Sequence, residues 1–129
     1  KKAIPLFAKA IKKDKKFVKA YDHLAICNRR LEKFDEALKY YAKSLEIFPD
    51  GDLALLNVAI IYSLKKDYEK ALKGYEKLKD IHPYNPEGYF GLGKIYLVKE
   101  EYEKALENTF ISHRMYVIME SSYQKDSET

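Results

Sequence analysis

Tryptophan is absent, cysteine appears once, and five glycines and four prolines are all that the 129 residues hold of the usual chain-breakers. The lone Cys27 excludes an internal disulfide. So few glycines and prolines leave little room for long loops and favour helices joined by tight turns. Long apolar runs are missing as well. The longest, Leu53 to Leu64, has about 12 residues against the roughly 20 of a membrane span, so no membrane insertion is expected. There is no glycine-rich phosphate loop, because Gly91-Leu92-Gly93 falls inside a helical pattern and lacks a third glycine and a preceding strand. The chain opens Lys1-Lys2-Ala3, without methionine and inside a repeat, and reads as a piece of something longer. A missing targeting segment is therefore uninformative, and no compartment is readable beyond a default to the cytoplasm.

What is present is charge in alternation. The net charge is +4, yet lysines and glutamates alternate through most of the chain, the pattern of a solvated helix surface rather than a nucleic-acid footprint. The densest basic run, Lys12-Lys13-Asp14-Lys15-Lys16, lies at an expected junction between helices. Tyrosine supplies 12 residues and phenylalanine six, so the aromatic content is mostly amphipathic.

A ruler runs through the sequence. Tyr68-Glu69-Lys70-Ala71-Leu72 recurs as Tyr102-Glu103-Lys104-Ala105-Leu106 and, more loosely, as Phe34-Asp35-Glu36-Ala37-Leu38. The offset is 34 residues both times (34 to 68, 68 to 102), and a fixed period of this length marks a solenoid. It divides the chain into units at 18–51, 52–85 and 86–119. Each reads as two helices, the first beginning near Lys19, Leu53 and Glu87, the second near Phe34, Tyr68 and Tyr102. Asp52, Asp67 and Asn85 stand where helix caps belong, with Pro86 in a first turn. Pro49-Asp50-Gly51 and Pro83 stop the second helices of the first two units. Residues 1–17 read as the second helix of a truncated preceding repeat. Residues 120–129 read as a short helix opening a cap or further repeat, with Ser121 and Gln124 as its capping box.

Small residues hold fixed places, Ala25, Ala59 and Gly93 in one register, Ala37, Ala71 and Ala105 in another, and these are where helix axes approach. Large slots are filled by Tyr21, Leu55 and Tyr89, then by Leu24, Val58 and Leu92, then by Asn28, Tyr62 and Tyr96. The order of large residue, Leu-Ala or Leu-Gly, Tyr, Tyr-x-x-Ala and finally Pro resembles the tetratricopeptide repeat family over nearly the whole chain. The third unit departs from it, with Thr109 in place of Tyr41 and Tyr75 and Val117 in place of proline, so its second helix has room to run longer.

The resemblance implies an all-α fold, a right-handed superhelix of antiparallel helix pairs whose first helices line a concave groove. Its walls would carry Lys19, Asp22, His23, Ile26, Arg29 and Arg30 from the first unit. The second supplies Leu53, Leu56, Asn57, Ile60 and Leu64, and the third Glu87, Phe90, Gly91, Lys94 and Leu97. Within each set the spacing puts the residues on one helical face. The middle helix is apolar almost all round, which leaves Leu53, Leu56 and Ile60 facing the groove beside Phe90. Such a cluster fits a protein partner offering an extended peptide or an amphipathic helix, Asn57 bonding its backbone and Lys94, Arg29 or Arg30 meeting an acid. Chaperone-binding relatives clamp a carboxylate with cations and asparagines. At those places this chain has Asp22, Ile26, Asn57, Glu87 and Gly91, so that role is not expected.

Other chemistries are weaker. His23 and Cys27 have the spacing of two metal ligands on a helix, but Cys27 is in register with the core positions Ile61 and Ile95, and no further ligand completes a shell. His82 and His113 stand alone. The carboxylates have no apolar pocket to activate them, so no catalysis, metal or cofactor is expected. An RNA-reading helical repeat of similar period is the less favoured alternative, since the groove is apolar at its centre. Homo-oligomerisation through exposed end helices is the nearer one; the run Tyr116-Val117-Ile118-Met119 reads by default as closing the solenoid and otherwise as docking a second copy.

Overall fold

The computed structural model describes residues 18–128, with side chains described through Tyr123. The helix expected over residues 1–17 lies outside the described residues. The rest is α1 (Val18–Arg30), α2 (Phe34–Ile47), α3 (Asp52–Leu64), α4 (Tyr68–Ile81), α5 (Pro86–Val98) and α6 (Tyr102–Glu128), with no strand among the described residues. The fold is an all-α solenoid. Consecutive helices pair, and the pairs stack so that α2 meets α3, α4 meets α5, and α3 also touches α5.

Stacking shows in the core, which is two linked clusters. Ala25, Ala37, Tyr41, Ala54 and Ile61 join α1, α2 and α3, whereas Ala59, Ala71, Tyr75, Leu92 and Ile95 join α3, α4 and α5. The apolar helix α3 therefore serves both clusters, which is why it lacks a clean polar face. The small residues sit at the close approaches. A Cβ added to Gly74 would come 2.9 Å from the Ala59 Cβ, and one added to Gly93 would overlap the Thr109 hydroxyl.

The turns inside the pairs repeat with the same period. Glu32, Lys66 and Glu100 are left-handed, with φ of 60°, 63° and 62°. After each, an amide reaches back five residues, Lys33 N–H to Asn28 O at 2.8 Å, Asp67 to Tyr62 at 2.9 Å and Glu101 to Tyr96 at 2.9 Å. These bonds occupy carbonyls that a helix end leaves open. Two caps are as read: Asp67 accepts from the Lys70 amide at 3.3 Å, and Asn85 from the Glu87 amide at 3.0 Å before Pro86. Asp52 differs. It is the first residue of α3, and its carboxylate takes its neighbour's amide, Leu53 N–H, while Gly51 holds the cap position.

The C-terminal end is a correction. No new helix opens at 120, and Ser121 lies inside α6, which continues unbroken to Glu128. Proline is the reason. Pro49 and Pro83 follow α2 and α4 by two residues, but Val117 at the same register has an amide to donate and lets the helix run on.

Candidate partner-binding groove

Three first helices, α1, α3 and α5, carry the residues expected to line the groove. Spacing alone puts Leu53, Leu56 and Ile60 on one face of α3, and Phe90, Lys94 and Leu97 on one face of α5. Leu53 is 48% exposed, Phe90 42% and Leu97 57%. Leu56 and Ile60 are half-buried, packed on the cluster that holds Tyr75 and Leu92. Lys94 is exposed and holds its ammonium 5.3 Å from the centre of the Phe90 ring. On α1, His23 and Arg30 are exposed, and Ile26 and Arg29 are half-buried.

Two expectations are corrected. Asn57 is only 6% exposed, and its amide nitrogen donates to Leu53 O at 2.8 Å within its own helix. It faces the neighbouring helix pair and does not present that donor to a ligand. Gly91, in register with it, is buried under Tyr75, whose ring occupies the place of the missing Cβ. This register position belongs to the stacking contact, because α3 and α5 must each meet the preceding pair.

Polar groups gather at the α1 end, two of them (Asp22 and Arg29) already expected on the groove wall and the third, Tyr41, not singled out there as a polar group. Asp22 Oδ1, Arg29 Nε and the Tyr41 hydroxyl are all buried without a hydrogen-bond partner. Burial pushes the Tyr41 phenol up to about 12, opposed by the positive charge of Arg29 and assisted by Asp22. Burial also raises the Asp22 carboxyl above its ordinary value, opposed by a hydrogen bond from Ser44 and the charge of His23. An acceptor and two donors stand together there, held between α1 and α2. The available signal was Tyr41 itself, whose phenol carries a donor into a core slot.

A second group sits between α5 and α6. Phe90, Thr109, Ser112, His113 and Tyr116 line a hollow of about 160 Å³. The Tyr116 hydroxyl donates to the Glu87 carboxylate. Ser112 is 1% exposed, and its hydroxyl has no partner. A larger hollow of about 500 Å³ lies at the α4–α5 loop, lined by His82 and Tyr84 together with Met119 of α6. Among the described residues no three His, Cys, Asp or Glu side chains gather as metal ligands do, and no helix is long and apolar enough to cross a membrane.

Comparison with known proteins accords with this geometry. The family described as "Tetratricopeptide repeat" matches residues 17–82. No curated protein sequence matches. Among solved structures, MamA is similar with a TM-score of 0.85 and 19% identity, over 92% of this chain and 69% of that one. YrrB, described as a TPR protein with an unusual peptide-binding site, is similar with a TM-score of 0.75 and 24% identity, over 84% of this chain and 56% of that one. A further MamA structure has a TM-score of 0.79 and 20% identity, over 87% of this chain. The chain thus spans between 56% and 69% of the length of these relatives.

Proposed function

This chain belongs to the tetratricopeptide repeat family, and from that premise we propose that it is a non-enzymatic interaction scaffold, built of repeats at 18–51, 52–85 and 86–119, that holds a peptide or amphipathic helix of a partner protein along the faces of α1, α3 and α5. The observation that carries this reading is the row of uncovered apolar side chains Leu53, Phe90 and Leu97, flanked by half-covered Leu56 and Ile60. Contiguous apolar surface on a soluble protein marks an interaction site. Covering the open halves of the three exposed side chains is worth roughly 2–5 kcal/mol gross, less the cost of ordering the ligand. Apolar contact alone would therefore give weak capture.

Direction comes from the exposed cations at the two ends, Arg30 on α1 and Lys94 on α5, which would meet an acid on the ligand. The peptide-binding site described for YrrB is a property of that protein, and it lends the reading a precedent within the same fold.

The test is selection from a displayed peptide library, followed by titration of an enriched peptide against the chain and the double variant Leu53→Glu, Leu97→Glu. Both side chains are exposed, so the variant keeps its melting temperature. Enrichment of peptides with apolar residues at helical or alternate spacing, weakened at least about tenfold by the double variant, is the expected result. Equal affinity for both proteins would refute the groove.

A further inference from the structure

The hollow at Ser112 is a seat without its helix. One period earlier, Tyr75 and Leu78 occupy the registers of Thr109 and Ser112; Tyr75 packs with Leu92 and Ile95 of α5, and Leu78 is fully buried. There the contact is tight, with Gly91 against the Tyr75 ring and a Cβ on Gly88 only 3.2 Å from Lys79 N. On α6 no described helix covers the same surface, because the helix continues past Val117 to Glu128. Its residues are also smaller, so where the earlier seat offers a large ring to glycine, this one offers a hollow of about 160 Å³, enough for one large side chain. Ser112 differs from its counterpart Ser44 in a telling way. Ser44 has Asp22 to bond, whereas the register of Asp22 is filled here by Phe90, so the Ser112 hydroxyl waits for a polar atom from outside.

The continuation of α6 supplies such a group. Ser112, Tyr116, Met119 and Tyr123 follow one another at four, three and four residues, which is one stripe along the helix. Tyr116, Met119 and Tyr123 are all exposed. The stripe is self-complementary about a point between Val117 and Ile118. When two such helices run antiparallel across a two-fold axis at that point, Tyr116 meets the other copy's Met119 and Ser112 meets its Tyr123. Antiparallel is also the sense in which α5 lies on α4.

We propose that two copies of this chain pair through α6, each laying its helical extension on the other's vacant seat and inserting Tyr123 so that its hydroxyl meets Ser112. The ring fills the space beside Phe90 and Tyr116. The pairing shares Phe90 with the groove, whereas Leu53 and Leu97 take no part in it.

Sedimentation equilibrium of the chain over a concentration series, with Tyr123→Ala alongside, tests the pairing. A reversible dimer is expected, weakened at least about tenfold by Tyr123→Ala, with an unchanged melting temperature at dilutions where both proteins are monomers, since Tyr123 is exposed in the single chain. A monomer at every concentration overturns the proposal, and so does a variant that dimerises as tightly as the parent. Register is read by oxidative cross-linking of a mixture of Tyr116→Cys and Met119→Cys proteins, both carrying Cys27→Ser. Disulfides joining the two variants in preference to like pairs support the antiparallel register; like pairs alone sink it. The Leu53→Glu, Leu97→Glu variant should dimerise normally, so failure of the groove and failure of the pairing are read separately.

Discussion

Glu32, Lys66 and Glu100 each adopt a left-handed backbone that costs a side-chain-bearing residue about 1–2 kcal/mol. Lys66→Gly removes that cost while loosening the unfolded chain, so a net gain of about 0.5–1 kcal/mol is expected by denaturant titration. Gly91→Ala should do the opposite. Its methyl overlaps the Tyr75 ring, and about 1–3 kcal/mol of overpacking exceeds the roughly 1 kcal/mol that alanine returns in helix propensity. The tyrosines carry a pH prediction. Burial pushes the phenols of Tyr41 and Tyr75 up to about 12, above the ordinary 10, so the folded state retains protons that the unfolded chain releases. That part of the stability is whole below pH 10 and drains away as pH rises towards 12, which alkaline melting curves will show. None of the left-handed positions was legible in the sequence. Glycine is the usual signal for such a turn, and here a glutamate or a lysine accepts the strain because three backbone hydrogen bonds around it are repeated in every pair.

At the scale of the element, the helices themselves were readable because period, caps and prolines agreed with one another. Their second members begin at the expected Phe34, Tyr68 and Tyr102, and the first members α3 and α5 one residue earlier than expected. The end of α6 was half-readable: Val117 in the place of proline announced a longer helix, yet Ser121 and Gln124 counterfeited a new start. A capping box signals a helix only where the preceding chain is not already helical, and nothing between Tyr102 and Ser121 interrupts. Restoring the proline tests this directly. Val117→Pro should end α6 near the point where its siblings end, with circular dichroism losing the signal of about ten helical residues, because the ring removes an amide and clashes with the preceding turn. The core clusters, which stop short of Val117, should keep their melting temperature within a few degrees.

Across the whole molecule, stability is a sum over neighbours, and α3 is the only described helix that belongs to both core clusters. Amide exchange should therefore be slowest in α3 and in the facing turns of α2 and α4, and, at dilutions where the chain is single, fastest beyond Met119, where the side chains through Tyr123 stand in solvent. The groove was partly legible at this scale. Periodicity named the apolar faces of α3 and α5, because helical spacing dictates which residues share a side. It misplaced Asn57 and Gly91, because one register position on a first helix serves the previous pair instead, and only the direction of the Tyr75 ring reveals that.

The left-handed turns also act as a phase lock. Between α1 and α2, between α3 and α4, and between α5 and α6 the chain spends the same three residues. Deleting one of them would index the following helix by about 100°, swinging its alanine seam off the partner and its charged flank inward. Substitution at those turns is thus forgiving while length is not. Geometry of this kind polices insertions and deletions far more strictly than it polices the identity of any side chain.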